Sequence, residues 1–378
     1  MSRVVVGLVA VVAALGVALF ALWPSGSRPR IDTTVAVREA LAAEGTGFAR
    51  ATAPRPFVFP ADHGPHPDFR TEWWYYTGNL RTAAGRQLGF QLTFFRIALA
   101  PDAVVRASAW ATRQLYVAHL AITDVAGGRF HAFSRTSREA LGLAGASASP
   151  YRVWVEGWSA EGDGASVHLR AAEADVAIDL ELSSAKAPIA QGDRGLSRKG
   201  GDPGNASFYY SITRMPARGV VRVGGEMLDV SGEAWMDREW STSALPPGVE
   251  GWDWFALQLE DGRELMFYLL RRRDGRVDAF SAGTLVAADG TTQPLDARDV
   301  RVETLAHWTS SRSGVRYPAR WRLTVPSFDV RLEVTPRLAD QELLVGTRYW
   351  EGAVAVAGSD RGRPLVGQGY VELVGYAE

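Results

Sequence analysis

From residue 57 onward, apolar and polar residues alternate in short runs that predict β-strands. Four of these runs are rich in β-branched and aromatic residues and contain stretches of period two. Pairs such as Asp-Gly and Gly-Gly recur between the runs and predict turns. This spacing favours an all-β sandwich or barrel over a parallel α/β sheet. The four runs are Arg86–Ile97, Gln114–Val125, Tyr151–Trp158 and Asp175–Leu182.

An internal repeat organises the predicted strands. Glu72–Arg96 aligns with Gly251–Arg273, and three further matches follow in the same order. Because all four matches are collinear, duplication is a better interpretation than chance. Each copy would hold about eight to ten strands, enough to close a barrel around one small apolar ligand. The aligned pairs are Trp73 with Trp252, Tyr75 with Trp254, Leu80 with Leu259, Trp158 with Trp308, Ala174–Leu182 with Phe328–Val334, and Gly232–Asp237 with Gly367–Glu372.

The repeat also predicts the domain boundaries. A break is expected near residues 240–250, where Leu245-Pro246-Pro247-Gly248 resembles a linker. Residues 56–243 then form the first domain and residues 244–378 the second. Residues 31–55 are predicted to hold a short helix, Val35–Glu44, and a linker. Residues 1–30 hold an N-terminal apolar segment and a spacer.

The N-terminal apolar segment predicts export. Val4–Trp23 is an uninterrupted apolar run of 20 residues, about enough to cross the ~30 Å hydrocarbon layer as a helix. Pro24 follows directly, without a small-x-small cleavage pattern, which favours an uncleaved signal anchor over the alternative of a cleaved signal peptide. We therefore expect a periplasmic or other extracytoplasmic protein anchored to the inner membrane, or a secreted one if the signal is cleaved.

Composition narrows the chemistry. The 378 residues include no Cys, which excludes disulfides, thiolate metal sites and a Cys nucleophile. The net charge is −1 and no long run of either sign is present, so we expect no nucleic-acid partner. Thirteen Trp residues are a high count, and such rings often form rigid walls of apolar cavities.

The first candidate for chemistry is the segment Asp62–Asn79, where His63 and His66 lie three residues apart among carboxylates. Such groups can ligate zinc or iron, or the His residues can contact a ligand and act in catalysis. A rigid lid over the first barrel is the structural alternative. Because no second His cluster is evident, we predict no metal site and no cofactor, and we keep both His residues as catalytic candidates.

The second candidate is the segment EAWMDREWSTS at the junction of the two copies. Asp237 and Glu239 are two residues apart and share a face if the segment is a strand, whereas Arg238 points to the opposite face. The two carboxyls could act as acid and base, with one pKa raised by burial beside the Trp residues of the segment. A salt-bridged hinge is the structural alternative, because Glu372 takes the place of Asp237 in the second copy.

The third candidate is the polar, Gly-rich segment Gln191–Ser211. Its cations, Arg194, Arg198 and Lys199, make an anionic ligand conceivable. The segment lacks the GKS or GKT sequence and the following helix of a phosphate-binding loop. We therefore predict a mobile loop over the barrel mouth.

Several motifs resemble those of the AttH/CrtC family over nearly the whole chain after Phe57. They are HPDFRTEWWYYTGNL, LYVAHLAITD, QGDRGLSRKG, GNASFYYS, WMDREWSTS and GWDWFALQL. The resemblance implies a pair of lipocalin-like β-barrels. It also implies three kinds of function: secreted hydrolases, components of an ABC export system, and carotenoid 1,2-hydratases (hydroxyneurosporene synthases), which add water to a terminal C=C bond without a cofactor. Met236 and Arg238 stand where the hydratase motif has His, while Asp237 and Trp240 match it; Leu270 stands where an acid is expected.

The sequence thus predicts an all-β fold of two tandem lipocalin-like antiparallel barrels, related by internal duplication and preceded by a transmembrane or signal helix. The leading hypothesis is an exported, membrane-associated protein that binds or modifies an elongated apolar molecule, such as a lipid or isoprenoid. The alternatives are a cofactor-independent hydratase-like lyase or secreted hydrolase, and an accessory component that contacts the permease of an ABC exporter. The candidate catalytic residues are Asp237, Glu239, His63 and His66. The predicted ligand-binding residues are Glu72, Trp73, Trp74, Tyr76, His119, Trp235, Arg238, Trp240, Trp252, Trp254 and Tyr268.

Overall fold

The computed structural model describes residues 45–101, 108, 110–242 and 245–376. These residues form two antiparallel β-sheets with three short 3₁₀ turns, at Ala61–His63, Ala140–Gly142 and Pro326–Phe328. Within this part of the chain, no helix combines the length and apolar character needed to cross a membrane. The apolar run Val4–Trp23 and the predicted helix Val35–Glu44 lie outside the described residues.

The first sheet has 13 strands. In chain order they are β1 (Thr71–Arg81), β2 (Gln87–Ala98), β3 (Gln114–Asp124), β4 (Arg129–Arg138), β5 (Ala144–Ala148), β6 (Tyr151–Val155), β7 (Trp158–Gly162), β8 (Ser166–Glu173), β9 (Val176–Ser183), β10 (Ile189–Ala190), β11 (Leu196–Arg198), β12 (Ala206–Val223) and β13 (Glu226–Ser241). Side by side, the order is β4-β3-β2-β1-β13-β12-β9-β8-β7-β6-β5, with β10 and β11 also paired to β12. Edge strand β4 lies near β5 and β6 at the other end of this order, so the sheet curls into a nearly closed barrel.

The second sheet has ten strands. In chain order they are β14 (Val249–Leu259), β15 (Glu264–Arg272), β16 (Ala282–Val286), β17 (Thr292–Asp296), β18 (Arg301–Thr309), β19 (Arg316–Val325), β20 (Val330–Pro336), β21 (Glu342–Leu344), β22 (Arg348–Asp360) and β23 (Arg363–Val374). Their order is β17-β16-β15-β14-β23-β22-β20-β19-β18, with β21 on β22. This curled sheet also fits a lipocalin-like barrel.

The two sheets share both strand order and register around their central strands. In the first, β1 lies between β2 and β13, and Tyr75 is opposite Asp237. In the second, β14 lies between β15 and β23, and Trp254 is opposite Glu372. The repeat aligned these same residues, Tyr75 with Trp254 and Asp237 with Glu372. The alignment of the sequence is therefore matched by the pairing of the strands.

Alternation along the central strands separates an interior face from an outer face in each sheet. On β1, Trp74 and Tyr76 belong to the core enclosed by the first sheet, whereas Tyr75 packs between the sheets. Trp74, Trp158 and Trp240 are completely buried in that first core. The space in which the sequence led us to expect an apolar ligand is thus occupied, in the first barrel, by the protein's own aromatic side chains.

One predicted strand is divided in two. Tyr151–Trp158 was expected to be continuous, but β6 ends at Val155 and β7 begins at Trp158, with these two residues paired across a tight reversal. Glu156 has a φ of 54°. This left-handed conformation, uncommon for residues other than Gly, turns the chain back on itself.

The outer faces of the sheets pack closely together. A Cβ atom at Gly89 on β2 would lie 2.6 Å from the Cβ atom of Ala353 on β22, so this contact requires Gly. At one rim, the completely buried Glu264 on β15 accepts hydrogen bonds from Lys186 (2.7 Å) and Arg214 (2.6 Å). Because a buried carboxylate needs such partners, this cluster joins the first sheet to the second.

Candidate active site between the two sheets

A cavity lies between the outer faces of the two sheets rather than inside either barrel. Its volume is about 80 Å³, and the empty space around it, including the part open to solvent, is about 700 Å³. The smaller volume exceeds the ~10–15 Å³ that one water molecule needs. The cavity therefore has room for part of an organic molecule and is open to solvent on one side. The lining residues are Trp73, Tyr75, Phe95, Lys199, Tyr209, Asp237, Glu239, Leu245, Trp252, Trp254, Tyr268, Leu270 and Glu372.

Asp237 lines the cavity from β13 and is surrounded by hydrogen-bond donors. Its Oδ1 accepts from the Ser211 hydroxyl (2.5 Å) and from Trp235 Nε1 (2.8 Å), and its Oδ2 accepts from the Tyr209 hydroxyl (2.8 Å). Burial raises the pKa of Asp237 from 3.8 to about 7, against the effect of these donors. A carboxyl with such a pKa can both give and take a proton near neutral pH.

Glu372 on β23 is a second carboxyl in the same cavity. It is partly accessible from the cavity, and it accepts a hydrogen bond from Trp252 Nε1 (2.5 Å). Desolvation raises its pKa to about 7, and the charges of Asp237 and Glu239 add to this rise. The catalytic candidates named from the sequence did not include Glu372, although the repeat aligns it with Asp237. That alignment was the signal that could have identified it.

An ion pair forms another side of the cavity. Glu239 accepts a hydrogen bond from the Ser207 hydroxyl and lies 3.6 Å from the Lys199 ammonium. The Lys199 Nζ also sits 3.6 Å from the centroid of the Tyr268 ring. Residues 191–211 were expected to be a mobile loop, but β11 (Leu196–Arg198) pairs with β12 and so fixes the position of the adjoining Lys199. Sequence reasoning recognised the cations of this segment and missed the role of Lys199 as part of the cavity wall.

Aromatic side chains complete the lining and connect to the carboxyls. Trp254 Nε1 donates to the Tyr209 hydroxyl (3.2 Å), which in turn donates to Asp237. The rings of Trp73, Trp252 and Tyr268 provide further apolar surface. Of the residues named from the sequence, Asp237, Glu239, Trp73, Trp252, Trp254 and Tyr268 thus line one cavity, and Trp235 supports Asp237 from behind.

The other named residues of the same strands occupy the opposite face, in the first core. Glu72 is completely buried between Arg96 and Arg238, and these two guanidinium groups outweigh desolvation and hold its pKa well below the usual range. The Arg238 guanidinium also lies over the Trp74 ring, 4.0 Å from its centroid. Trp240, expected beside Asp237, faces this core as well, because successive residues of a strand point to opposite sides.

His63 and His66 lie at the edge of this charged core, away from the cavity. His66 stacks on Trp240 with ring centroids 3.7 Å apart and contacts Asp62 through Nε2 (2.9 Å). His63 Nδ1 is 2.6 Å from the Tyr210 hydroxyl, and burial lowers the pKa of His63 to about 4. These contacts match the alternative of a rigid, packed lid.

The remaining named residues, Tyr76 and His119, also lie outside the cavity. The Tyr76 hydroxyl meets that of Tyr151 at 2.5 Å in the first core. His119 is buried between the sheets with Nδ1 2.7 Å from the Tyr349 hydroxyl. Among the residues that the structure describes, no group of three or more His, Asp or Glu side chains could hold a metal ion.

The fold and the cavity together define a class: two-barrel, lipocalin-like proteins with an aromatic, carboxyl-bearing pocket between the barrels. The chain belongs to the AttH-like family, whose model matches residues 50–376. The fold is similar to the crystal structure of a putative AttH protein from Nitrosomonas europaea, with a TM-score of 0.77. The two sequences are 34% identical, and the match covers 87% of this chain and all of that one.

Two further relatives have names that state an activity. Kievitone hydratase from Nectria haematococca has a similar fold, with a TM-score of 0.66 and 16% identity over 89% of this chain and 98% of that one. A dehydratase named asqC from Emericella nidulans is 24% identical in an alignment of 225 residues that covers 55% of this chain. The match spans 61% of the length of that curated relative.

Proposed function

We propose that this protein is a cofactor-independent hydro-lyase, which adds water to a C=C bond of an apolar organic molecule or removes water from the corresponding alcohol. The observation that carries this proposal is the pair of cavity carboxyls, Asp237 and Glu372. Both have a pKa of about 7, raised chiefly by burial. Near neutral pH such a pair supplies one acid and one base at the same time.

The proposed reaction uses both members of the pair. In hydration, the protonated carboxyl gives its proton to one carbon of the double bond, whose π electrons form the new C–H bond. Water bonds through oxygen to the other carbon and loses a proton to the second carboxylate. One water molecule is consumed and nothing is oxidised or reduced; the proton then returns from base to acid. Dehydration is the same sequence in reverse.

The lining of the cavity suits this chemistry. Positive charge that develops on carbon is stabilised by the π faces of aromatic rings, and three Trp residues line the cavity. The apolar walls also favour a substrate with a hydrocarbon skeleton. Lys199, held against Glu239 and Tyr268, offers a cation to an oxygen substituent of the substrate.

The named relatives support the same reaction class. A protein of similar fold is named a hydratase and one of related sequence a dehydratase, and these names state the two directions of one class of reaction. Because the sequence identity to both relatives is low, we do not assign their substrates to this protein. The class of reaction is proposed here because the carboxyl pair of this chain provides the groups that it needs.

Exchange of oxygen with water provides the test. The purified protein is incubated in oxygen-18 water with lycopene, farnesol and the tertiary alcohol linalool, and the products are analysed by mass spectrometry. We expect the label in at least one product with the native protein. Asp237→Asn and Glu372→Gln should both abolish incorporation, whereas Asp175→Asn, at an exposed carboxyl in the turn between β8 and β9, should not. Full incorporation by both cavity variants would overturn the proposal.

Apolar-ligand binding without chemistry is the second candidate, and the aromatic lining favours it. The same three compounds should then quench the fluorescence of the cavity Trp residues although none exchanges oxygen. Loss of quenching in Trp254→Leu would locate the bound compound, and unchanged quenching would exclude this cavity as its site. Export, anchoring of residues 4–23 in the inner membrane and contact with an ABC permease stay predictions, because the apolar segment lies outside the described residues.

A further inference from the structure

Behind Glu372 lies a third carboxyl, that of Glu351 on β22. The Cα atoms of the two residues are direct partners on neighbouring antiparallel strands, which brings their side chains to the same face, about 5 Å apart at Cβ. Glu351 is completely buried, whereas Glu372 opens to the cavity. Two carboxyls in this arrangement repel each other if both are ionised, so they share one proton at neutral pH.

The surroundings of Glu351 decide which carboxyl keeps that proton. Its Oε1 accepts a hydrogen bond from the Tyr75 hydroxyl of β1, and no N–H or hydroxyl group of the described residues donates to its Oε2. A side-chain hydrogen bond joins its carboxyl to that of Glu372, and this contact raises the pKa of Glu351 and lowers that of Glu372. No Lys or Arg is among the groups that shift the pKa of Glu351, which burial and the charge of Glu372 raise well above its usual range. Glu372 instead has an N–H donor, Trp252 Nε1, and access to the cavity. A carboxylate without cation or water is far costlier than one with a donor and an open side.

The groups packed around Glu351 are polar but uncharged, apart from carboxyls. Tyr349 lies on the same strand, Tyr370 on β23 and Tyr75 on β1, and each has its pKa raised by burial and by the nearby Glu351. The charges of Asp237 and Glu239 on β13 raise the pKa of Glu372. His119 of β3 contacts Tyr349, and burial lowers the pKa of His119 to about 4, so it is neutral. None of these groups supplies a positive charge to Glu351 at neutral pH.

We propose that Glu351 is a positioning residue that stays protonated and so holds Glu372, directly opposite it, as the carboxylate base of the cavity. The inference rests on the proposed hydro-lyase function and assigns the remaining role, that of acid, to Asp237. Glu351 does not reach the cavity and does not meet the substrate. Because Glu351 keeps its proton, it presents a neutral, polar group to the Glu372 carboxylate.

Infrared spectroscopy of the full-length protein tests this assignment without any substrate. Protonated carboxyls have a C=O stretching band, and glutamate labelled with carbon-13 separates the bands of Glu351 and Glu372 from that of Asp237. In the native protein we expect one Glu band that persists from pH 5 to pH 9 and another that titrates. Glu351→Gln should remove the persistent band alone, and Glu372→Gln the titrating one alone.

The titration midpoint of Glu372 distinguishes positioning from a purely structural role. Glu351→Gln replaces one neutral polar group by another and should leave the midpoint unchanged. Glu351→Leu, of similar size but without polar atoms, should raise it by about one pH unit, a tenfold change in the proton equilibrium. Asp253→Asn, at a buried carboxyl paired with Arg271 outside the cavity lining, is the control and should not move it.

Two results would overturn the inference. One is a persistent band that disappears in Glu372→Gln rather than in Glu351→Gln. The other is a large fall of the Glu372 midpoint in Glu351→Gln, because it would mean that the native Glu351 is ionised. If the infrared bands behave as expected but oxygen-18 exchange fails, the proposed hydro-lyase function is wrong, while the assignment of the proton to Glu351 and of the charge to Glu372 is confirmed. If oxygen-18 exchange succeeds but the infrared bands do not titrate as expected, the proposed function is kept and only the positioning role of Glu351 is wrong.

Discussion

Replacement of Asp237 by Asn should stabilise the folded protein at neutral and alkaline pH. Burial raises the pKa of this carboxyl from 3.8 to about 7. The folded state therefore keeps a proton that the unfolded chain releases near pH 4, and the free energy of unfolding falls as the pH rises from about 4 to about 7. A pKa difference of this size corresponds to about 4 kcal/mol at pH values above both pKa values.

Asn fits the hydrogen-bonding surroundings of Asp237. Its carbonyl oxygen can accept from Ser211 and from Trp235, as Oδ1 of the native side chain does. Its amide group can donate to the Tyr209 hydroxyl, which has lone pairs to accept. The variant therefore keeps the three contacts and loses the buried charge. Its advantage over the native protein should be close to zero at pH 4 and reach at most about 4 kcal/mol at pH 8.

Urea unfolding followed by Trp fluorescence, at intervals from pH 4 to pH 8.5, measures this difference. The exposed carboxyl variant Asp175→Asn is the control and should follow the native protein throughout. Parallel curves for Asp237→Asn and the native protein would refute the reasoning, because the native carboxyl would then have the same pKa in both states. A gain in stability together with a loss of oxygen exchange would show a residue kept for function at a cost in stability.

Three other substitutions test neighbouring parts of the structure. Glu72→Gln leaves the guanidinium groups of Arg96 and Arg238 buried without a carboxylate, so urea unfolding should show a loss of about 3–5 kcal/mol, and a loss below 1 kcal/mol would contradict the ion-pair network. His63 is neutral when folded, so stability should fall as the pH drops from about 6.5 to about 4; His63→Asn should reduce this dependence, and an unchanged pH profile would show that another group causes it. Trp254→Phe removes the donor to Tyr209, so oxygen exchange should slow while urea stability stays within about 1 kcal/mol; an unchanged rate would leave that hydrogen bond without a catalytic role.

Much of the fold could be predicted from local pattern. The segment Gln114–Val125 differs from the observed β3, Gln114–Asp124, by one residue at its end. Alternation and Gly-containing turns are local signals, and this is why they identify strands so closely. The division at Glu156 could not be predicted in this way, because a left-handed conformation at a residue other than Gly leaves no mark in the hydrophobic pattern.

The face of each central strand was harder to assign. In β1, Trp73 and Trp74 point to opposite sides, one to the cavity and one to the first core. Because both faces are covered by protein, both carry large aromatic residues, and the alternation that normally separates core from solvent disappears. The ligand-binding residues chosen from sequence therefore mixed the two faces. The sequence did predict that Arg238 and Asp237 point to opposite faces of their strand, because successive strand residues alternate. The structure confirms this: Asp237 lines the cavity and Arg238 lies over Trp74 in the first core.

Lys199 and Glu351 show a different limit. Neither belongs to a motif with Asp237, and both approach the cavity carboxyls only through the pairing of strands and the packing of one sheet on the other. A burial-dependent pKa requires knowledge of what covers the group, which no local pattern contains. Glu372 differs from these two, because its alignment with Asp237 was visible in the sequence and became chemically meaningful once the two sheets were seen to face each other.

The position of the cavity follows from how two similar barrels associate. Within the described residues, each sheet encloses a core of its own buried apolar side chains. Their facing outer surfaces each present a carboxyl at the same place in the repeat, Asp237 in one and Glu372 in the other. One barrel alone would expose its cavity carboxyls to water, where the pKa of Asp237 or Glu372 would be ordinary. Packing the second barrel against it buries both, raises both pKa values to about 7 and adds the Trp walls. The chemistry proposed here is therefore a property of the pair of barrels, and variants that separate them should abolish it even where each barrel stays folded.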